Sequence, residues 1–563
     1  MSFVYGCIRQ LGRLERGRGS VVKGAVASGV CVRVDFGRGV SMAAASEERN
    51  TEPSIFIDEV RGHQARYKKI LEFTHSATKS AGIMLLAAIA ALVIANTGAY
   101  EAFEHLIHQE IGFVIGGTAY TMSAGHIIND IFMAVFFLIV GLEIKYEMTV
   151  GELTNIRQAL LPIVAACGGV LAPIVIYLLF NIGHPDTIHG WGVPTATDIA
   201  FALGIMALLG NRIPAGVRVF LSTLAVADDI IAILVIAIFY GQAPSFMWLA
   251  AAAGVVVLLL LLNRTHVYSL VPYLALGVVL WFCVFMSGVH STIAGVLLAF
   301  TIPSGSRVNL RGFLSWSGKK IRQAYDSFNP DEPVIGQKDY MRNVKNLSAI
   351  AAQVIPPATR LEHKLYPWVY FLVLPLFALT NADVHLAGID SSMLFGDTVF
   401  MGVFFGLLLG KPIGIMLFSF IVVKTKLASL PTNVSWTHMM GAAILGGVGF
   451  TMAIFVANLA YVDETHIAMA KAAILSASTV AGIIGFTFLL IEAKADAKRG
   501  VLYVTSPEGA DNATFADAEA RRASEGIIDT FGEEDQAEVQ EAFEDRDNRE
   551  VAVQLNPEEL KKG

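Results

Sequence analysis

Two adjacent carboxylates, Asp228 and Asp229, stand in the middle of the apolar run VFLSTLAVADDIIAILVIAIFYG. A helix needs about 20 mostly apolar residues to cross a bilayer, and this run supplies them. An ionised aspartate at the bilayer centre costs roughly 2.5 to 3.5 kcal/mol. Two in succession are hard to account for as packing residues. Helical neighbours point about 100° apart, so one counter-charge cannot readily serve both. Ionisable residues in such a place mark an ion or proton pathway, unless the run is a buried helix of a soluble protein.

Composition removes the soluble alternative. Of 563 residues, 54% are hydrophobic and only 16% charged, with a mean hydropathy of +0.58. Soluble domains carry about 25% charged residues. The net charge of −7 is unevenly spread: residues 501–563 hold 17 Asp and Glu against 6 Lys and Arg, leaving the rest of the chain positive. That polar, acidic stretch is expected to be a disordered tail, either merely solvating or partner-binding. Residues 1–41 carry seven Arg and Lys against two acids and lack the apolar core of a secretory signal. They read as an organellar transit segment or as a start placed too early, ahead of Met42. Cys7, Cys31, Cys167 and Cys283 show no metal-ligand or redox spacing.

Twelve apolar stretches bounded by Pro, Gly or charge predict an all-α polytopic membrane protein. They centre on 80–99, 126–144, 159–180, 193–209, 215–240 and 245–262. The others are 268–287, 288–303, 368–382, 395–423, 438–461 and 467–491. Lys145, Arg157, Arg212, Arg264, Lys424 and Lys426 all follow even-numbered stretches. The positive-inside rule then puts both termini in the cytoplasm. The expected organisation is a cytoplasmic segment over 1–79, spans over 80–303, a basic cytoplasmic loop over 304–366, spans over 367–492, and a tail over 493–563. The loop has ten Lys and Arg against five acids and an amphipathic helix expected around 346–354. It reads as a linker or as a regulatory or lipid-headgroup contact.

The fourth stretch, VPTATDIAFALG, is interrupted by Pro194 and carries Thr197 and a further acid, Asp198. The eleventh, GGVGFTMAIFVAN, clusters Gly446, Gly447, Gly449 and Thr451. Two short or Gly/Pro-interrupted spans in corresponding halves point to a transporter site. Broken backbone is tolerated only where protein buries it or where it lines a cavity. Close packing through small residues is the other explanation for the glycines. The tenth stretch supplies a cation, Lys411, beside Pro412. Pairing Lys411 with one aspartate leaves the other free to take sodium or a proton. Oxygen ligands suit a hard cation.

The segments IINDIFMAVFFLIVGLEIKYEM, PTATDIAFALGIMALLG, AVADDIIAI, SGVHSTIAGV, RLEHKLYPWV, LPLFALTNADV, LLLGKPIGI and GGVGFTMAIF occur in that order. Together they resemble the NhaA sodium/proton antiporter family over roughly 81–492. That family is itself a standard case of the inverted-repeat design, so repeat logic and resemblance are a single argument. The resemblance implies twelve transmembrane helices, with discontinuous helices IV and XI crossing at mid-membrane. It implies that Asp229 is the principal sodium and proton carboxylate, with Asp228 its partner in the sodium site, ion-paired with Lys411. Thr197 and Asp198 would lie at the helix crossing. Glu143, Glu147, Glu362 and His363 match positions tied to pH response, and His290 a position tied to pH sensing and subunit contact. Interfacial or packing roles for these five are the plainer alternative. Tyr366 stands where many relatives have histidine.

The expected function is electrogenic, pH-regulated export of sodium (or lithium) in exchange for protons, for sodium and pH homeostasis. The expected setting is a bacterial inner membrane, as a homodimer in contact with lipid, with no cofactor, no nucleic acid and no enzymatic activity. A sodium-coupled solute symporter and a membrane sensor signalling through the acidic tail are the competing readings. Neither a solute-binding cluster nor an enzyme's nucleophile, metal or nucleotide motif accompanies the buried acids.

Overall fold

The computed structural model describes residues 66–499 apart from 67–68, 72, 75, 116–117, 152–153, 155, 242–243, 307, 385–395 and 432. The expectations for residues 1–41 and for the tail from 500 onward lie outside the described residues. Seven helices are long and apolar enough to cross a membrane. They are α1 (Ala77–Ala95), α3 (Ala124–Thr149), the described apolar part of α4 (Ile156–Asn181), α6 (Ala215–Phe239), α7 (Phe246–Arg264), α14 (Thr398–Lys424) and α17 (Glu464–Lys498). A bent pair, α15 (Trp436–Gly446) and α16 (Phe450–Ala460), makes an eighth if counted as one span. The other apolar stretches form shorter helices: α5 (Ile199–Ala207), α8 (Leu270–Met286), α9 (Ile293–Thr301), and α12 (Pro357–Trp368) continuing into α13 (Leu374–Asn381). Between α1 and α3 lies α2 (Tyr100–His108).

Large apolar side chains point outward all around this bundle. Phe246 is 80% exposed, Val271 73%, Ile238 69% and Leu86 66%. Of α7 only Ala252 and Leu259 are buried. So much open apolar area is untenable in water and natural against lipid. The chain is a multi-pass membrane protein.

The all-α expectation needs one correction. Glu110–Ile115 (β1) pairs antiparallel with Thr118–Ser123 (β2), in register from Glu110 opposite Ser123 to Ile115 opposite Thr118. The sequence EIGFVIGGTAYTMS sets a Gly-Gly pair between β-prone runs, a hairpin signal that a search for apolar spans passes over. At the 193–209 stretch, interrupted by Pro194, a 3-10 segment over Ile188–Thr195 precedes an extended link and then α5. The insert after α9 holds two helices rather than one short one, α10 (Leu310–Asp326) and α11 (Lys338–Val354).

Small residues let the spans approach. A Cβ on Gly168 of α4 would meet the Gly414 carbonyl and Phe418 of α14, and one on Gly414 would lie 2.9 Å from Ala172 Cβ. Without a water-driven hydrophobic force, such close packing is what holds spans together. α14 also contains a π turn over Gly406–Gly410, against which Pro173 of α4 packs at 2.9 Å from where a Gly410 Cβ would stand.

Gly447, at the α15–α16 break, has no such slack: a Cβ there would sit 2.6 Å from the Leu407 carbonyl oxygen. Gly447→Ala should therefore lower stability by about 1 to 3 kcal/mol through overpacking. Gly82→Ala on α1, where a Cβ meets nothing within 4 Å, should cost nothing. Thermal unfolding of the two purified variants checks the contrast; equal melting temperatures would refute it.

Candidate functional site

The two broken segments meet each other. The Asp198 N–H donates to the Val448 carbonyl (2.8 Å), and Thr197 Oγ1 lies 3.1 Å from the Gly446 carbonyl. Asp198 is the N-cap of α5, its Oδ1 accepting from Phe201 N–H at 3.0 Å. A capping carboxylate satisfies the free N–H groups that open a helix and complements its dipole. Its Oδ2 accepts from Thr451 N–H (3.2 Å) and Thr451 Oγ1 (2.5 Å), so the same carboxylate also closes the start of α16. Phe450 N–H donates to Ser478 Oγ of α17 at 3.1 Å. Gly449 fits because a Cβ there would lie 3.0 Å from the Ala196 carbonyl.

Beside this junction sits the ion pair. Lys411 Nζ donates to Asp228 Oδ2 and to Thr197 Oγ1. Thr197 Oγ1 in turn lies 2.5 Å from Asp228 Oδ2. Lys411 is 1% exposed and Asp228 3%. Asp228 Oδ1 is buried without a hydrogen-bond partner. Asp229 is buried too, and among the described residues its carboxylate accepts no hydrogen bond. The doublet is thus divided: one carboxylate is engaged by the lysine and the other is not.

A cavity of about 70 Å³ is lined in part by Glu143, Glu147, Glu362, Tyr370 and, on α6, Ser222 and Val226. That is room for a few waters rather than an organic solute. Ser222 and Val226 are spaced four apart on α6, and Asp229 follows three residues later. At 3.6 residues per turn all three share one stripe, which puts Asp229 in line with the cavity wall and turns Asp228 away from it toward Lys411. Tyr370 donates to Glu143 Oε1 at 3.0 Å, and the Tyr366 ring packs on Tyr370 at 4.3 Å between centroids.

The structure thus gathers the sequence-derived candidates into three groups. Asp228, Lys411 and Thr197 bond to one another, with Asp198 beside them and Asp229 on the neighbouring stripe. Glu143, Glu147 and Glu362 share the cavity, and His363 sits one residue beyond Glu362 on α12 without lining it. His290 is apart from both, its Nε2 2.6 Å from the Tyr240 carbonyl at the end of α6.

Sequence reasoning passed over several polar residues. Asn381 Nδ2 donates to Asn129 Oδ1 (2.8 Å), and Asn458 Nδ2 donates to Asn381 Oδ1 (2.7 Å), tying α3, α13 and α16 together. Tyr177 and Tyr461 hydroxyls meet at 2.5 Å. The signal was a lone asparagine in an otherwise apolar span, as in IIND, TNAD and FVAN.

Removing one member of a buried ion pair strands the other, at a cost of about 3 to 5 kcal/mol, whereas removing both charges costs less. Lys411→Ala should accordingly lower the melting temperature more than Lys411→Ala combined with Asp228→Asn. A double variant that melts below the single one would show that the pair does not carry this energy.

Comparison with known proteins identifies the family. Residues 71–489 match the family described as Na+/H+ antiporter 1. The chain is 42% identical over 432 residues to the Na(+)/H(+) antiporter NhaA of Wolinella succinogenes, covering 76% of this chain and 94% of that protein. It is 45% identical over 415 residues to the Na(+)/H(+) antiporter NhaA of Helicobacter pylori strain G27, covering 73% and 92%. The NhaA of Acidithiobacillus ferrooxidans is 43% identical over 423 residues, covering 74% and 96%. The two broken segments, the doublet and its lysine all lie inside the matched region, and the chain belongs to the Na+/H+ antiporter 1 family.

Proposed function

We propose that this chain exports sodium (or lithium) in exchange for protons, electrogenically and under pH control, as a transporter without a cofactor. The observation that carries the reading is the division of the doublet: Lys411 holds Asp228, while Asp229 is left without a hydrogen-bonded partner on the stripe that faces the cavity. In the cycle, the Asp229 carboxyl releases its proton toward the cavity. The carboxylate so formed, with Asp228 Oδ1 beside it, offers oxygens to a sodium ion. The site then turns to the opposite face, sodium leaves, and a proton from that side restores the acid. Proton and sodium cannot hold Asp229 together, and that exclusion couples the two fluxes.

Asp229 alone returns one proton per sodium, which moves no net charge. Electrogenic exchange needs a second titrating group in the site, and the Asp228–Lys411 pair is the candidate. Helices IV and XI correspond to the two broken segments, which would cross at mid-membrane in a twelve-span fold. Their bonds at Asp198 and Thr197 are the hinge about which access alternates. Glu143, Glu147 and Glu362 line the cytoplasmic mouth, with His363 at its edge, and set the pH response. His290 buttresses the end of α6 and contributes to pH sensing or a homodimer contact. The setting is a bacterial inner membrane with both termini cytoplasmic.

The test is cation-triggered proton flux in everted vesicles from a host without its own sodium antiporters. Sodium and lithium should collapse a preset pH gradient and potassium should not. Asp229→Asn should lose activity at least a hundredfold, since a difference of about 2.8 kcal/mol in barrier already gives that factor. Where protons occupy the carboxylate, the apparent KM for sodium should rise about tenfold for each unit fall in pH, by mass action. Clamping the membrane potential at zero should change the rate of an electrogenic exchanger. Full activity in Asp229→Asn, or no cation-dependent proton movement in the wild type, would sink the reading.

A further inference from the structure

The insert between α9 and α12 is an elaboration, not a connector. Its two ends already meet, with Ala358 N–H donating to the Pro303 carbonyl at 3.2 Å. Lys145 Nζ and Asn263 Nδ2 fix the point of departure by capping the last carbonyls of α9. A tight turn would join these ends, yet the chain builds a helical hairpin there. Helices α10 and α11 pack on each other, and Gln337 braces their loop through the Asn329 and Glu332 carbonyls, both at 2.7 Å.

Both helices are amphipathic, and their apolar stripe is open. Leu310 is 59% exposed and Leu314 58%. They stand four apart on one face of α10. Lys319 and Arg322 are exposed on other faces of α10, and Arg342 and Lys345 are exposed on α11. Residues 310–354 carry seven Lys and Arg against four acids. The hairpin therefore presents a basic and an apolar surface together, and no described residue covers either.

The chain carries a segment of matching chemistry. Residues 500–563 hold 17 Asp and Glu, eight of them between 533 and 547, among which stand Val539 and Phe543. Its point of origin lies at the same end of the bundle as the hairpin. The α12–α13 unit runs from the hairpin to Asp383 at the opposite end, where Asp383 pairs with Lys471 near the start of α17 at 2.7 Å. The 35 residues of α17 then climb roughly 50 Å back, at about 1.5 Å per residue. Tethering on one chain gives the acidic segment a high effective concentration at the hairpin.

From this complementarity we infer that the acidic C-terminal segment, residues 500–563, docks on the basic, apolar surface of the α10–α11 hairpin. The inference is independent of the transport reading, because it concerns a surface away from the doublet. Its test is zero-length carbodiimide cross-linking of the full-length protein in phosphatidylcholine nanodiscs, mapped by mass spectrometry. Lys319, Lys320, Lys338 or Lys345 should couple to acids between 533 and 550. Raising salt should cut the yield at least fivefold, as it does for exposed charges. The exposed-surface variant K319E/R322E, verified as monodisperse, should cut coupling through Lys338 and Lys345 by a similar factor. Cross-links that survive the reversal, or none to the tail, overturn the inference. So do hairpin lysines that never couple to the tail but gain protection from acylation when phosphatidylglycerol is added, which would assign the surface to lipid.

Discussion

Inside a bilayer every backbone N–H and C=O must find a partner within the protein, at several kcal/mol for each failure. The two unwound segments around Ala196–Asp198 and Gly447–Gly449 satisfy that demand through each other. Asp198 N–H reaches Val448, Thr197 reaches Gly446, and the Asp198 carboxylate closes the starts of both α5 and α16. Neither break can be straightened without stranding groups in the other. Thr197 then joins this backbone arrangement to the charges, because the hydroxyl that faces the Gly446 carbonyl also meets Asp228 and accepts from Lys411. The site is suspended from the breaks rather than placed beside them.

That suspension explains why two adjacent aspartates can be unlike. On a regular helix they point about 100° apart. Lys411 approaches from one side only, at the end of the π turn Gly406–Gly410 that packs against Pro173. It engages Asp228 Oδ2 and leaves Asp229 on the stripe of Ser222 and Val226. Exchange of two ions at one carboxylate needs this inequality: with a second lysine on Asp229, neither sodium nor a proton would gain by binding there.

The chemistry of the centre was legible in the sequence because charge in an apolar run is costly and therefore conspicuous. Asp228, Asp229, Asp198 and Lys411 announce themselves, and the need for a counter-charge pairs Lys411 with one of the two aspartates; that the partner is Asp228 was implied only by the family resemblance. The breaks were legible from Pro194 and the Gly446–Gly449 cluster. What could not be read was which residues complete the bonds. Thr451 belongs to a helix some 250 residues from Asp198, and nothing local names its partner. Tyr370, Asn129, Asn381 and Asn458 were hidden because neutral polar side chains disturb a hydropathy pattern little, although each finds a specific partner. The β1–β2 hairpin was missed for the opposite reason, being a short-range pattern overlooked in a search for long ones.

In the proposed scheme the surroundings of the cavity can change while the ion site is kept. Tyr366 is buried and packs on Tyr370, whose hydroxyl holds Glu143. A histidine in that place would bring a group that gains charge near neutrality. Tyr366 instead contributes a ring that packs on Tyr370. In the proposed scheme the pH response at this mouth then rests on Glu143, Glu147 and Glu362, whose separation is set by α3 and α12. These helices pack on each other, and Lys145 ties α3 to the end of α9. The centre is protected from such substitutions by its backbone bonds, and the mouth, built from side chains alone, is where this chain can differ from its relatives.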